Sequence, residues 1–139
     1  MFGLFKSRKK PAPAKVLVVD DEPDYVSTVK CRLEWCQYQV ITAANGEEGL
    51  EKARSEKPDL ILLDTCMPVM NGHEMLEHMS RAPELKDIPV IMVTALCDAR
   101  DIAEASSYGI ADYVAKPFDF TELVEKISNI LAKRTLSSA

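Results

Sequence analysis

Hydrophobic and polar positions along this chain follow two rhythms. Short runs rich in β-branched residues have the length and composition of strands: Val16-Leu17-Val18-Val19, Val40-Ile41-Thr42, Leu60-Ile61-Leu62-Leu63, Val90-Ile91-Met92-Val93 and Tyr113-Val114-Ala115. Between and after them, apolar residues fall at helical spacing: Tyr25, Val26, Val29 and Leu33; Leu50 with Ala53; Met75 with Met79; Ile102 with Ala105; and Leu123, Val124, Ile127, Ile130 and Leu131. Strands and helices therefore alternate five times. Several strands are apolar on both sides, which suits a parallel sheet with helices on each face, and right-handed crossovers place them there. The expected fold class is α/β, a doubly wound five-stranded parallel sheet with five helices.

The first residues do not share this pattern. Phe2, Leu4 and Phe5 are mixed with bases and followed by Pro11-Ala12-Pro13-Ala14, which cannot continue a helix and reads as an extended linker. The expected organisation is a basic tail over residues 1-14, one domain over 15-134 and a short tail over 135-139, leaving no room here for a DNA-binding or catalytic output domain. At 139 residues the chain is close to one domain, and with 47% apolar residues it builds a core without staples.

Charge changes the picture of what the domain can touch. Lys6, Arg8, Lys9, Lys10 and Lys15 give residues 1-15 five bases and no acid, which leaves twelve bases against twenty-two acids in the rest. Such an acidic body repels phosphate backbones, so no DNA binding is expected of it. The basic tail with its three large apolar residues is able to rest on an anionic membrane surface, each base adding about 1 kcal/mol, or to be a plain lead-in. So few apolar residues, and a Met-Phe start in place of the Met-Gly of myristoylation, favour the lead-in. Cys31, Cys36, Cys66 and Cys97 form no CxxC pair and read as reduced thiols. With no apolar run of about 18 residues and no signal-peptide core, a cytoplasmic protein is expected.

In a doubly wound sheet, ligands bind at the carboxyl ends of the strands, near the point where strand order reverses. Strand one ends in Asp20-Asp21-Glu22, strand three in Asp64, strand four in Thr94 and strand five in Lys116-Pro117. Carboxylates from two strands, with no histidine or cysteine side chain among them, make a hard-oxygen site suited to Mg2+. A carboxylate at Asp64 beside such a cation is a workable nucleophile for phosphoryl transfer, and Thr94 and Lys116 are the donors able to hold the added oxygens.

Taken together, Val16-Leu17-Val18-Val19-Asp20-Asp21-Glu22, Leu60-Ile61-Leu62-Leu63-Asp64 with Met67-Pro68 and Asn71-Gly72, Val93-Thr94-Ala95, and Lys116-Pro117-Phe118 resemble the receiver domain of two-component response regulators, over about Lys15 to Arg134. The resemblance implies the flavodoxin-like receiver fold and a stand-alone, chemotaxis-type single-domain regulator. It implies that Asp64 is phosphorylated by a sensor histidine kinase or a histidine phosphotransfer protein. Asp21 would ligate Mg2+ directly, with Asp20 helping through water, and the backbone carbonyl of Cys66 would be a further ligand. Thr94 and Lys116 would bind the phosphoryl oxygens, the Lys116-Pro117 bond would be cis, and Tyr113 would turn inward on activation. The face made by helix four, strand five and helix five would then bind a downstream protein target. Such a protein is not an enzyme beyond its own phosphorylation and dephosphorylation.

Other classes share the architecture and fit less well. A flavin carrier needs a hydroxyl- and glycine-rich loop after strand one, where Asp20-Asp21-Glu22-Pro23-Asp24 stands. A haloacid-dehalogenase-type phosphatase would have a second Asp at position 66, which is Cys66. A degenerate receiver used only for docking would lack part of the cluster, and none is missing. Lesser expectations are that Asp24 caps the first helix, that Glu22 is a solvated charge at its start, that Trp35 and Cys36 are partly buried packing residues, and that His73 and His78 lie on the surface.

Overall fold

The structure, a computed structural model, describes residues 12-95 and 98-138, with side chains through Arg134. The basic segment up to residue 11 and Cys97 lie outside the described residues. Ten elements alternate along the chain: β1 (Lys15–Val19), α1 (Pro23–Trp35), β2 (Gln39–Ala43), α2 (Gly46–Glu56), β3 (Leu60–Leu63), α3 (Gly72–Arg81), β4 (Val90–Thr94), α4 (Ala99–Ser107), β5 (Asp112–Ala115) and α5 (Phe120–Ser138). The strands form one sheet in the order β2-β1-β3-β4-β5, and every pairing is parallel.

The two-residue period of the strands sorts their side chains between two cores. Leu17, Val19, Ile61, Leu63, Val90 and Met92 point to the face covered by α2, α3 and α4. Val16, Val18, Leu60, Leu62, Ile91 and Val93 point to the face covered by α1 and α5. Both faces of β1, β3 and β4 are thus buried, which is why these strands read as continuous apolar runs. A fully buried Leu or Ile, such as Leu17, Leu33, Ile61 or Ile127, contributes roughly 1.5–3 kcal/mol by leaving water.

Caps fix where three of the helices begin. Asn45 accepts from the Glu48 amide, Asn71 forms a capping box with Glu74, and Asp98 accepts from the Asp101 amide. α1 starts differently from the expectation placed on Asp24. Pro23 opens the helix, Glu22 is its N-cap without a side-chain cap bond, and Asp24 is an acidic residue of the first turn.

Three further expectations are corrected. Trp35 is 87% exposed and Cys36 is exposed as well. Leu33 takes the inward position of the last turn, and two residues on, at about 100° per residue, a helix points its side chain to the opposite side. His78 is exposed, whereas the His73 side chain is only 11% exposed, because α3 turns it toward Asp101 and Glu104 of α4. Finally α5 runs on to Ser138, past the tail expected from residue 135, since neither Gly nor Pro follows Arg134 to stop it. Among the described residues no helix is long and apolar enough to cross a membrane.

Candidate functional site

β1 lies between β2 and β3, so the chain leaves β1 to one side and returns on the other, and the crevice between the β1 and β3 ends is the switch point of the sheet. Both flanking residues are held by sheet-like backbone bonds just beyond the strands: Asp20 N–H donates to the Ala43 carbonyl at 3.0 Å and Asp64 N–H to the Val19 carbonyl at 3.0 Å. Across the sheet, Leu63 is paired with Met92 and Thr94 with Ala115. Thr94 therefore sits one residue beyond the level of Asp64, and Lys116 one beyond Thr94. The Lys116 N–H donates to the Thr94 carbonyl at 2.9 Å.

Asp20, Asp64 and Thr94 are buried, while Asp21 is exposed at the rim. One carboxylate oxygen from each of Asp20, Asp21 and Asp64 lies within 4.8 Å of the others. Like charges at that separation repel by about 3 kcal/mol per pair at an effective dielectric near 20. Lys116 answers part of this. Its Nζ is 2.7 Å from Asp20 Oδ2, 3.1 Å from Glu22 Oε1 and 3.6 Å from Asp64 Oδ2. The remaining Asp20 oxygen accepts from the Glu22 amide at 2.9 Å, and Asp64 Oδ1 from the Thr65 amide at 2.7 Å.

Burial pushes the Asp20 carboxyl above the ordinary aspartate value, more than the bonds from Lys116 and the Glu22 amide pull it down, and the charge of Asp64 adds to the rise. Burial alone would lower Lys116, but the bond to Asp20 and the charges of Asp20 and Asp64 raise it overall. The residues thus have the composition of a cation site: hard oxygens only, an excess of negative charge, and one member open to solvent. Asp20, Asp21 and Asp64 fit Mg2+, which accepts carboxylates together with several waters. A cleft of about 540 Å³ opens at this point, lined by Asp21, Thr65, Cys66, Met67, Pro68 and Asn71.

The loop after β3 is held in place from three sides. Gly72 N–H donates to the Thr65 carbonyl at 2.9 Å, and a Cβ at Gly72 would collide with the Asp64 carbonyl oxygen, so only glycine lets α3 start this close to Asp64. Val69 at φ 68° is spanned by a bond from the Met70 amide to the Pro68 carbonyl at 2.7 Å, and the Met70 carbonyl accepts from Gly46 at the start of α2. The Lys116-Pro117 peptide is cis. Tyr113, on β5, is half-buried against the core under α2, α3 and α4.

The structure thus brings together Asp20, Asp21, Asp64 and Lys116 and sets Thr94 and Cys66 beside them along the same rim. Two participants escaped the sequence reading. Glu22 is an ion-pair partner of Lys116 although its side chain is 63% exposed. Tyr25, counted among the core positions of α1, lies with its ring 4.0 Å from Lys116 Nζ. Helical spacing finds a residue's face but not the side chain that a distant loop lays across it.

A family model for the response regulator receiver domain matches residues 16–128. The chain belongs to this family. Protein PilH of Pseudomonas aeruginosa is 37% identical over 119 residues, which cover 86% of this chain and 98% of that protein. The alkaline phosphatase synthesis transcriptional regulatory protein PhoP of Bacillus subtilis is 37% identical over 124 residues, covering 89% of this chain and 51% of it. The chain spans about half the length of the curated relatives that head the comparison, such as the probable transcriptional regulator ycf27 of Cyanophora paradoxa, of which it covers 48%. Among solved structures, a CheY-like receiver domain protein from Methanospirillum hungatei superposes with a TM-score of 0.83 at 31% identity, over 90% of this chain and 98% of that one. The chemotaxis protein CheY4 of Vibrio cholerae superposes at 0.80 with 33% identity, over 85% and 98%. The receiver fold expected from the sequence is the one found.

Proposed function

We propose that this receiver domain is a phosphorylation-controlled switch of protein binding, with Asp64 as the phosphoryl acceptor. The observation that supports this reading most is the meeting of Asp20, Asp21, Asp64 and Lys116 at one edge of the sheet, three buried or rim carboxylates against one ammonium. Asp20, Asp21, Asp64 and the backbone carbonyl of Cys66 would hold Mg2+, which supplies charge neutralisation to a loose phosphoryl-transfer transition state. A carboxylate oxygen of Asp64 attacks phosphorus, the P–N bond to a donor histidine breaks, and the imidazole nitrogen leaves with the bonding pair and takes a proton. Lys116, 3.6 Å from Asp64, moves from Asp20 to a phosphoryl oxygen, and the Thr94 hydroxyl donates to another. Drawing the Thr94 loop inward lets Tyr113 bury, which reshapes the face of α4, β5 and α5.

In this reading the functional unit is a stand-alone receiver, acting in the cytoplasm and catalysing nothing beyond its own phosphorylation and dephosphorylation. Its donor is a sensor histidine kinase or a phosphotransfer protein, and its output is contact with a protein target. The similarity to PilH over 98% of that protein's length supports the single-domain form. The test is labelling by a phosphohistidine donor with Mg2+ present. Wild type is expected to gain a base-labile label and Asp64→Ala none; full labelling of Asp64→Ala would overturn the assignment.

A further inference from the structure

Lys116 has a fourth neighbour besides its three carboxylates. Its Nζ stands 4.0 Å from the centroid of the Tyr25 ring, in a site where the lysine side chain is only 14% exposed. Tyr25 lies in the first turn of α1, directly after the acidic run, and its ring is set edge-to-face against Phe118 at 6.2 Å and 89°. Phe118 comes two residues after Lys116, across the cis peptide, so the stretch of chain that delivers the lysine also clamps the ring beneath it. The Tyr25 hydroxyl, in contrast, is buried with no hydrogen-bond partner among the described residues. A polar atom left so is a cost to the fold, so the O–H is not what holds the ring here.

We infer that Tyr25 is a positioning residue for Lys116, its ring face confining the ammonium to the Asp64 side of the site; the inference rests on the phosphoryl-acceptor reading above. A carboxylate in that place would compete with an incoming phosphoryl group for the charge. An aromatic face attracts the cation without offering an anionic oxygen, so Lys116 can leave Asp20 and Glu22 for the phosphoryl oxygens and keep its support. Tyr25 and Lys116 both line an open groove of about 560 Å³, together with Ala95, Pro117 and Phe120, and without the ring a lysine would be free to swing further into it.

The test is a titration of the full chain with beryllofluoride in the presence of Mg2+, on wild type, Tyr25→Leu, Tyr25→Met, Tyr25→Phe and Asp64→Asn. Methionine matches the bulk of the ring more flexibly, so that a folding defect in the leucine variant does not decide the outcome. Half-saturation is expected to rise about fivefold in the Leu and Met variants and to return to within twofold of wild type in Tyr25→Phe. In spectra of lysine-labelled protein, the ring-current displacement of the Lys116 ε-methylene should vanish in Leu and Met and persist in Phe. A ring with only a packing role would change melting temperature and leave the half-saturation of the Leu and Met variants in place, and that result overturns the inference. So does a Phe variant as weak as Leu, which would assign the role to the hydroxyl. If wild type gives no beryllofluoride response that Asp64→Asn abolishes, the acceptor reading falls, and this inference with it.

Discussion

The two ends of the sheet each hold a cluster of ionised groups, and the clusters are built on opposite terms. At the amino ends of the strands, Lys15 pairs with Glu56 and Arg134 with Asp59, two bases against two acids, with side chains 24% to 47% exposed. Asp59 also accepts from the Lys15 backbone amide at 2.7 Å, and Arg134 donates to the Asp59 carbonyl, so these groups tie β1, β3 and α5 together. At the carboxyl ends, Asp20, Asp21, Glu22 and Asp64 face Lys116 alone among the described residues, and Asp20 and Asp64 are almost wholly withdrawn from water. Balanced, half-exposed charges serve the fold. Unbalanced, buried ones raise its energy until another cation arrives, which marks the second cluster as a place where something binds.

Replacing Lys116 by Met should separate the two clusters most strongly. Leaving buried carboxylates without their ammonium is expected to lower stability by about 3 kcal/mol in metal-free urea unfolding, with Mg2+ recovering more of the loss than it adds to wild type. Mg2+ itself should stabilise wild type by about 2.7 kcal/mol at a hundredfold excess over its Kd, read as a rise in Tm, and Asp21→Ala should lose most of that response. Asp59→Ala, at the other end, should cost about 1 kcal/mol, the same with Mg2+ or with a chelator. If its cost varied with Mg2+, the division between the two clusters would be wrong.

The smallest effect sharpens the contrast within the carboxyl end itself. Glu48 caps the approach to α2 by accepting from the Ala44 amide at 2.8 Å, and that bond holds its carboxyl below the usual 4.5. Its contribution is therefore present above pH 4.5 and lost as the pH falls through the lowered value in the folded protein. Glu48→Gln should cost about 0.3 kcal/mol at pH 7, with the difference from wild type closing in acid and indifferent to Mg2+.

Much of this was legible in the sequence because it depends on local rules. Continuous apolar runs at β1, β3 and β4 pointed to burial on both faces, and Asp20, Asp64, Thr94 and Lys116 could be placed at strand ends without knowing any side-chain direction. What stayed hidden depends on neighbours distant in the chain. His73 is enclosed because α4 packs beside it, Trp35 is bare because Leu33 claims the inward turn, and Tyr25 meets Lys116 only once the β5–α5 connection has crossed α1. Asp24 lost the cap because Pro23 starts the helix two residues earlier than a capping aspartate at 24 would allow.

One backbone bond has a mechanical consequence. The amide of Lys116 is stitched to the carbonyl of Thr94 at 2.9 Å, so the hydroxyl-bearing end of β4 and the lysine-bearing end of β5 are two corners of a single plate. A displacement of either corner is therefore expected to draw the other with it, as one lever rather than as two independent fingers.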